Sequence, residues 1–362
     1  MEEIIIGKDR AKQVLNFKFN TNMLFKCTIR KYAEDMLDGN LFFNMPEKWI
    51  EIEEISPNKG QGDSLEGTFL TTDENDNSTF ISNLKLSDDI EHFKKNNKLF
   101  FRRKSVKKLF CYCLYGLNDN SFVEKSEDRF GNVNFCSRID KNYFSGFSDV
   151  KEEEYFKIPE GERPAVVFIS NPHEFFERIR NALVELGVKR EDVIVSPVEY
   201  VDRNNNSIAL LPYPHELLLK DISFKNQSEI RIIINSEDKS IIQKIKENNQ
   251  IINIGNINDI ASIYDFYFND LILMKDGNSV LFTLPFPENM PIEKLTLRKL
   301  LSIFVQTSND QLPYEMSIED RIKIINAIKK VIKNKYGMEI GVKNGMITAY
   351  GYSGDINEIL DK

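Results

Sequence analysis

Apolar spacing along the chain predicts an α+β protein. "MLFKCTIR" (23–30) alternates as a strand does, and "KYAEDMLDG" reads as a short helix that stops at Gly39, where a left-handed residue costs least. "NLFFN" resumes extended structure, ended by Pro46. From Ile50 to Thr68 the sequence is acidic, then rich in glycine, and reads as a long loop. Short strands are predicted near Phe69 and Phe80, separated by the polar turn "TTDENDN", and Ser87 is placed to cap a short helix over "DDIEHFKK". Two more apolar strands lie in "KLFFRRKSVKKLFCYCLYG". The polar residues 118–162 predict an insertion or a mobile loop.

The second half of the chain is more regular. "AVVFI" has the continuous apolar character of a buried strand. "NPHEFFERIRNALVELG" is the clearest helix: Asn171 caps it, Pro172 suits its first turn, and Gly187 ends it. Phe175, Ile179, Leu183 and Leu186 share one face of it. "VIVSPVEYVD" follows as a strand, which permits a crossover unit without requiring one. "SEIRIIIN" (228–235) is a strong strand signal. Asp238 to Asn248 forms an amphipathic helix, and "LILMKDGNSVLFT" a hairpin turning at Asp276–Gly277.

Residues 286–362 read as a small separate module, set off from a larger part at 1–285 by Pro285, Pro287 and Pro291. It contains a helix in "PIEKLTLRKLLSIFVQT" and a second helix capped by Ser317. Ile318, Ile322, Ile325, Ile328 and Ile332 share one face of the second, Gly337 ends it, and a hairpin turns at Asn344–Gly345.

Composition narrows the function classes. The 362 residues are 41% hydrophobic and 29% charged, which is globular rather than disordered. The 48 Lys and Arg against 56 Asp and Glu give a formal charge of −8, so a broad nucleic-acid surface is disfavoured. One basic strip stands out: Lys94, Lys95, Lys98, Arg102, Arg103, Lys104, Lys107 and Lys108. It reads either as a solvated hairpin in an acidic protein or as an edge facing phosphate. No window approaches the roughly 18 uninterrupted apolar residues of a membrane span, and "MEEIIIGKDR" lacks the basic start of a signal peptide. A cytoplasmic protein with no membrane partner is the expectation. The four cysteines do not resemble a disulfide framework. Cys111 and Cys113 share one face of a strand, but with three histidines in the chain and none nearby, no metal site is expected. Heavy use of Asn, Ile, Lys and Phe is that of an AT-rich genome, such as a low-GC bacterium or its phages.

Common catalytic motifs are absent: there is no Walker-type phosphate loop, no G-x-G-x-x-G after a strand, no H-E-x-x-H and no G-x-S-x-G. His92, His173 and His215 read as surface residues, so chemistry falls to carboxylates, Arg, Tyr or Ser. Two acidic constellations qualify. Asp63 and Glu66 lie in "GQGDSLEG", where glycines free the backbone to aim both carboxylates, or leave them in an exposed loop. Glu229 and Arg231 alternate onto one face of a strand whose other face carries Ile230, Ile232 and Ile234; an internal ion pair accounts for them as well as a site does.

The order of these motifs carries a resemblance. "CTIRKYAEDMLDGNLFFNMPEKW…GQGDSLEG", the strand "LFCYCLYG", "VSPVEYVD" and the Lys225, Glu229, Arg231 set follow one another as in a large bacterial family similar in architecture to ADP-ribosyltransferases. The family's K-x-x-x-x-E-x-R is one residue longer than the spacing here. The resemblance spans residues 24–236 and implies a split mixed β-sheet clamping an NAD-type nucleotide. It implies that Arg30 or Tyr32 contacts the phosphates or the nicotinamide ribose, and that Glu229 is the catalytic carboxylate. Asp63, Glu66 and Arg231 complete the implied ligand-binding set, with NAD as substrate. The Ser-Thr-Ser strand start of one transferase class and the first-strand His of the other have no counterpart. The implied setting is phage–bacterium conflict, as toxin, defence or anti-defence protein. Two alternatives stand beside this reading: a non-catalytic protein that binds a nucleotide signal or a partner protein, and a metal-dependent nuclease using Asp63 and Glu66.

Overall fold

The computed structural model describes residues 21–55, 62–118, 121–127, 133–208, 211–268, 270–276, 279–283, 292, 297–308, 318–343 and 346–350. The chain divides into two compact units. One is Met1–Asn120 with Asn142–Phe266, and the other is Ser121–Lys141 with Tyr267–Lys362. The first unit thus ends ahead of the three prolines, which lie outside the described residues, and part of the polar 118–162 stretch belongs to the second unit.

The first unit is built on a six-stranded sheet in the order Val193–Pro197, Glu229–Ile234, Phe110–Asn118, Thr21–Ile29, Pro164–Ile169 and Ala261–Asp265. Every pairing in it is antiparallel, so the expected mixed sheet is corrected. Among the described residues, parallel pairing occurs in the short ladder of Glu199–Val201 with Leu219–Asp221. The strands before and after helix Pro172–Glu185 are separated in the sheet by three others, so this segment is not a side-by-side crossover. Asn171 caps that helix as predicted, accepting from the Glu174 N–H at 3.2 Å.

Strand Glu229–Ile234 is buried on both faces, which is why it reads as an almost unbroken apolar run. Ile230, Ile232 and Ile234 pack into one core with Leu24, Tyr112 and the buried face of helix Pro172–Glu185. Glu229 and Arg231, opposite Tyr115 and Cys113 in the register, point to the other face. A second, four-stranded sheet orders Ser207–Ile208, Thr68–Asp73, Lys98–Arg103 and Ile90–Lys95.

Local assignments change where turn chemistry was missed. Pro46 begins a helix, Pro46–Ile55, rather than a loop, as suits a residue without an N–H at a first helical turn. Residues Thr79–Lys85 are a helix, not a strand, because Ser78 caps it through the Ile81 N–H. Residues Ile90–Lys95 are a strand, not a helix: Asn96 and Asn97 both adopt positive φ, 51° and 61°, and turn a hairpin into Lys98–Arg103. Residues 141–145 are not loop either, since Lys141–Ser145 is helical and buries Tyr143 and Phe144. Tyr143 packs edge-on to Tyr115, which stacks on Phe25 with ring centroids 4.2 Å apart.

Most of the basic strip is answered by acids. Lys94 pairs with Glu74, Lys98 with Asp73, Arg102 and Lys107 with Glu91, and Arg103 with Glu216. Lys95 instead donates to Ser64 Oγ at 2.6 Å.

Gly39 ends the first helix with φ +90°, and a Cβ there would stand 2.1 Å from the Gly255 carbonyl oxygen. Gly39→Ala therefore combines a left-handed backbone with a backbone clash. An expected loss of about 2–4 kcal/mol should be read as a lower urea midpoint.

In the second unit a four-stranded sheet orders Ser279–Thr283, Leu271–Asp276, Val133–Ile139 and Glu124–Glu127. Helices Leu297–Ser308 and Ile318–Tyr336 pack through Leu300, Phe304, Ile328 and Ile332. Ile318 and Ile322 are exposed, so the apolar stripe of the second helix starts later than predicted. A hairpin of Glu339–Lys343 and Met346–Tyr350 follows. Ser317, Gly277 and the Asn344–Gly345 turn lie outside the described residues. Among those described, no helix is long and apolar enough to cross a membrane.

Candidate functional site

Arg231 organises the polar face of the central sheet. It is 1% exposed, and all five of its N–H groups are engaged by the protein. Nε donates to Glu229 Oε1 at 2.8 Å, and Nη2 lies 2.6 Å from the same oxygen. Nη1 donates to Glu66 Oε1 and to the Leu217 carbonyl, while Nη2 also reaches Glu66 Oε2 at 3.3 Å. The guanidinium stacks on Trp49, 4.9 Å from the ring centroid. Lys220 Nζ donates to Glu229 Oε2 at 2.8 Å and to Gln227 Oε1 at 2.7 Å. Tyr200 Oη accepts from the Glu229 N–H.

The loop after the unforeseen helix Pro46–Ile55 brings in the other two acids. Asp63 N–H donates to the Trp49 carbonyl, tying loop to helix, and Asp63 Oδ1 accepts from Leu65 N–H at 2.8 Å. Asp63 Oδ2 is buried and has no hydrogen-bond partner among the described residues.

Burial acts on every one of these groups, with different outcomes. Burial alone would raise the Glu229 carboxyl, but Arg231 and Lys220 outweigh it and hold it far below the usual range. At Glu66 and Asp63 burial prevails over the nearby cations, and both carboxyls are raised. The stability consequences have opposite signs. The depressed Glu229 stabilises the fold above the ordinary glutamate pKa, and that contribution is lost as pH falls through its folded value. The raised Asp63 makes the native state bind more protons than the unfolded chain, so stability falls as pH rises between its ordinary and its folded value. Asp63→Asn removes this term. Its melting temperature relative to wild type is expected to climb as pH rises above the ordinary aspartate value, measured by calorimetry; a difference independent of pH would refute the assignment.

These groups form one wall of a cavity of about 340 Å³. Tyr32, Trp49, Tyr115, Tyr143 and Phe147 give it aromatic walls, and Lys26 adds a cation. A second cavity of about 500 Å³ shares Asp63, Tyr143 and Gln227 with the first.

Five of the six expected site residues, Tyr32, Asp63, Glu66, Glu229 and Arg231, therefore line one cavity. Arg30 is not among the residues lining it: as the first residue of its helix it turns toward Asp265, with an ion pair at 3.7 Å. Arg231 lines the cavity, yet with every donor engaged it orients Glu229 and Glu66 rather than offering a free fork to a ligand. Sequence reasoning missed Lys26, Trp49, Tyr143 and Lys220. The last had a signal: a lysine directly after the apolar run "LLL" is bound for burial and needs a partner.

Other chemistries fit less well. The Cys27 and Cys113 thiols also line the cavity, but burial pushes each up to about 12, which keeps them protonated. His215, expected at the surface, is buried, with Nδ1 3.0 Å from the Pro212 carbonyl, and lines neither cavity. Among the described residues no three His, Cys, Asp or Glu side chains gather as a metal set. Glu66 is taken by Arg231, and the cations beside Asp63 oppose a divalent ion, which disfavours the nuclease reading. No family model matches the chain, and no curated protein and no solved structure matches it either.

Proposed function

We propose that the first cavity binds an NAD-type nucleotide and that Glu229 supports cleavage of its nicotinamide–ribose bond. The carrying observation is a carboxylate kept ionised by Arg231 and Lys220 on the wall of an open, aromatic-lined cavity. Aromatic faces stack on a planar base, and a fixed carboxylate accepts from a ribose hydroxyl. As the C–N bond breaks, its electron pair leaves with nicotinamide and positive charge develops on the sugar. A preoriented carboxylate in a poorly solvated wall stabilises that charge without reorganising. Water or an acceptor nucleophile then bonds to the ribose carbon and loses its proton. The motif order of residues 24–236 and the AT-rich composition suit an effector in phage–bacterium conflict.

A second reading, nucleotide sensing without cleavage, is favoured by one detail. Glu229 already accepts from Arg231 twice and from Lys220 once, leaving little capacity for a substrate. The test is nicotinamide release from NAD by the purified chain, with and without cellular acceptors. Release that disappears in Glu229→Gln supports cleavage. A thermal shift with NAD but no release supports sensing, and neither effect refutes both.

A further inference from the structure

The second cavity carries a buried cation that has no ion pair among the described residues. Arg203 is 4% exposed on its wall. Its Nη2 donates to the Thr68 carbonyl at 2.7 Å, while Nε has no hydrogen-bond partner among the described residues. Its nearest opposite charges, Asp63 and Asp221, act only at longer range, and burial lowers the guanidinium from its usual range. A desolvated guanidinium with an unmet N–H favours a neighbouring anion. Lys95, the strip lysine bonded to Ser64 Oγ, lines the same cavity with ammonium donors to spare.

We propose that the second cavity is an anion subsite that takes a phosphate or pyrophosphate group through Arg203 and Lys95. The neighbouring amides of Asn96, Asn204 and Asn226 supply further donors around the same space. Read with the proposed function, on which this placement rests, base and ribose occupy the first cavity and the phosphates the second. The subsite gives the basic strip one functional member.

Calorimetric titration with pyrophosphate and with ADP tests it. Wild type is expected to bind both. Lys95→Ala, a half-buried side chain with one neutral contact, should weaken pyrophosphate about tenfold with the fold intact by circular dichroism. Arg203→Gln should abolish binding, and Lys26→Ala, in the first cavity, should leave pyrophosphate binding unchanged. Absence of binding to wild type, or equal weakening by Lys26→Ala and Lys95→Ala, overturns the subsite. The two proposals fail separately: anion binding lost in Lys95→Ala while wild type releases no nicotinamide keeps the subsite and removes the cleavage reading. Release unchanged in both Lys95→Ala and Arg203→Gln removes the subsite and keeps the cleavage reading.

Discussion

Arg231→Ala is expected to destabilise the first unit by about 3–5 kcal/mol, because it leaves Glu229 and Glu66 buried without their shared partner. A domain holds a margin of only about 5–15 kcal/mol, so the variant should show a much lower urea midpoint or fail to fold at 37 °C. The cause is separable from lost packing against Trp49. Glu66→Gln removes one stranded charge, so in a double-mutant cycle the pair should be non-additive, with a coupling on the order of 1–3 kcal/mol. Additive losses would mean that Glu66 and Arg231 do not act as a unit.

Under the proposed cleavage of NAD, Glu229→Gln is expected to lower the rate of nicotinamide release by about 10²–10³-fold, the usual range for removing one preorganised electrostatic contact. Glutamine keeps the shape and one acceptor toward Arg231 but cannot offset a developing positive charge. The variant also leaves Lys220 without its carboxylate, so melting temperature must be recorded beside the rate. A rate loss with NAD binding retained assigns Glu229 to the bond-breaking step. Equal loss of binding and rate would reduce it to a structural partner of Lys220.

The strands that carry the site were legible because burial on both faces leaves little room for ambiguity. "SEIRIIIN" and "AVVFI" could hardly be anything else, and the alternation that put Glu229 beside Arg231 follows from the pleat. The antiparallel order of the sheet was not legible, since strand neighbours are set by long-range pairing that no local pattern encodes. The helix Pro46–Ile55 was hidden by acids and the proline, although both suit a first helical turn. The hairpin at Asn96–Asn97 was hidden because the lysines around it mimic a helix end. Tyr143 was lost for a related reason: its segment is polar on average, and three aromatics anchor it. That Arg30 turns toward Asp265 was not legible, because "strand, then Arg" says nothing about which way the first residue of the next helix turns.

The chain contains a single tryptophan, and the fold has placed it on Arg231 at the edge of the first cavity. The protein therefore carries its own optical probe of the site. With no second indole to dilute the signal, a change in emission wavelength or quenching reports the surroundings of that guanidinium directly. Ligand entry, acid titration of the network and global unfolding can each be followed in native protein, without a label.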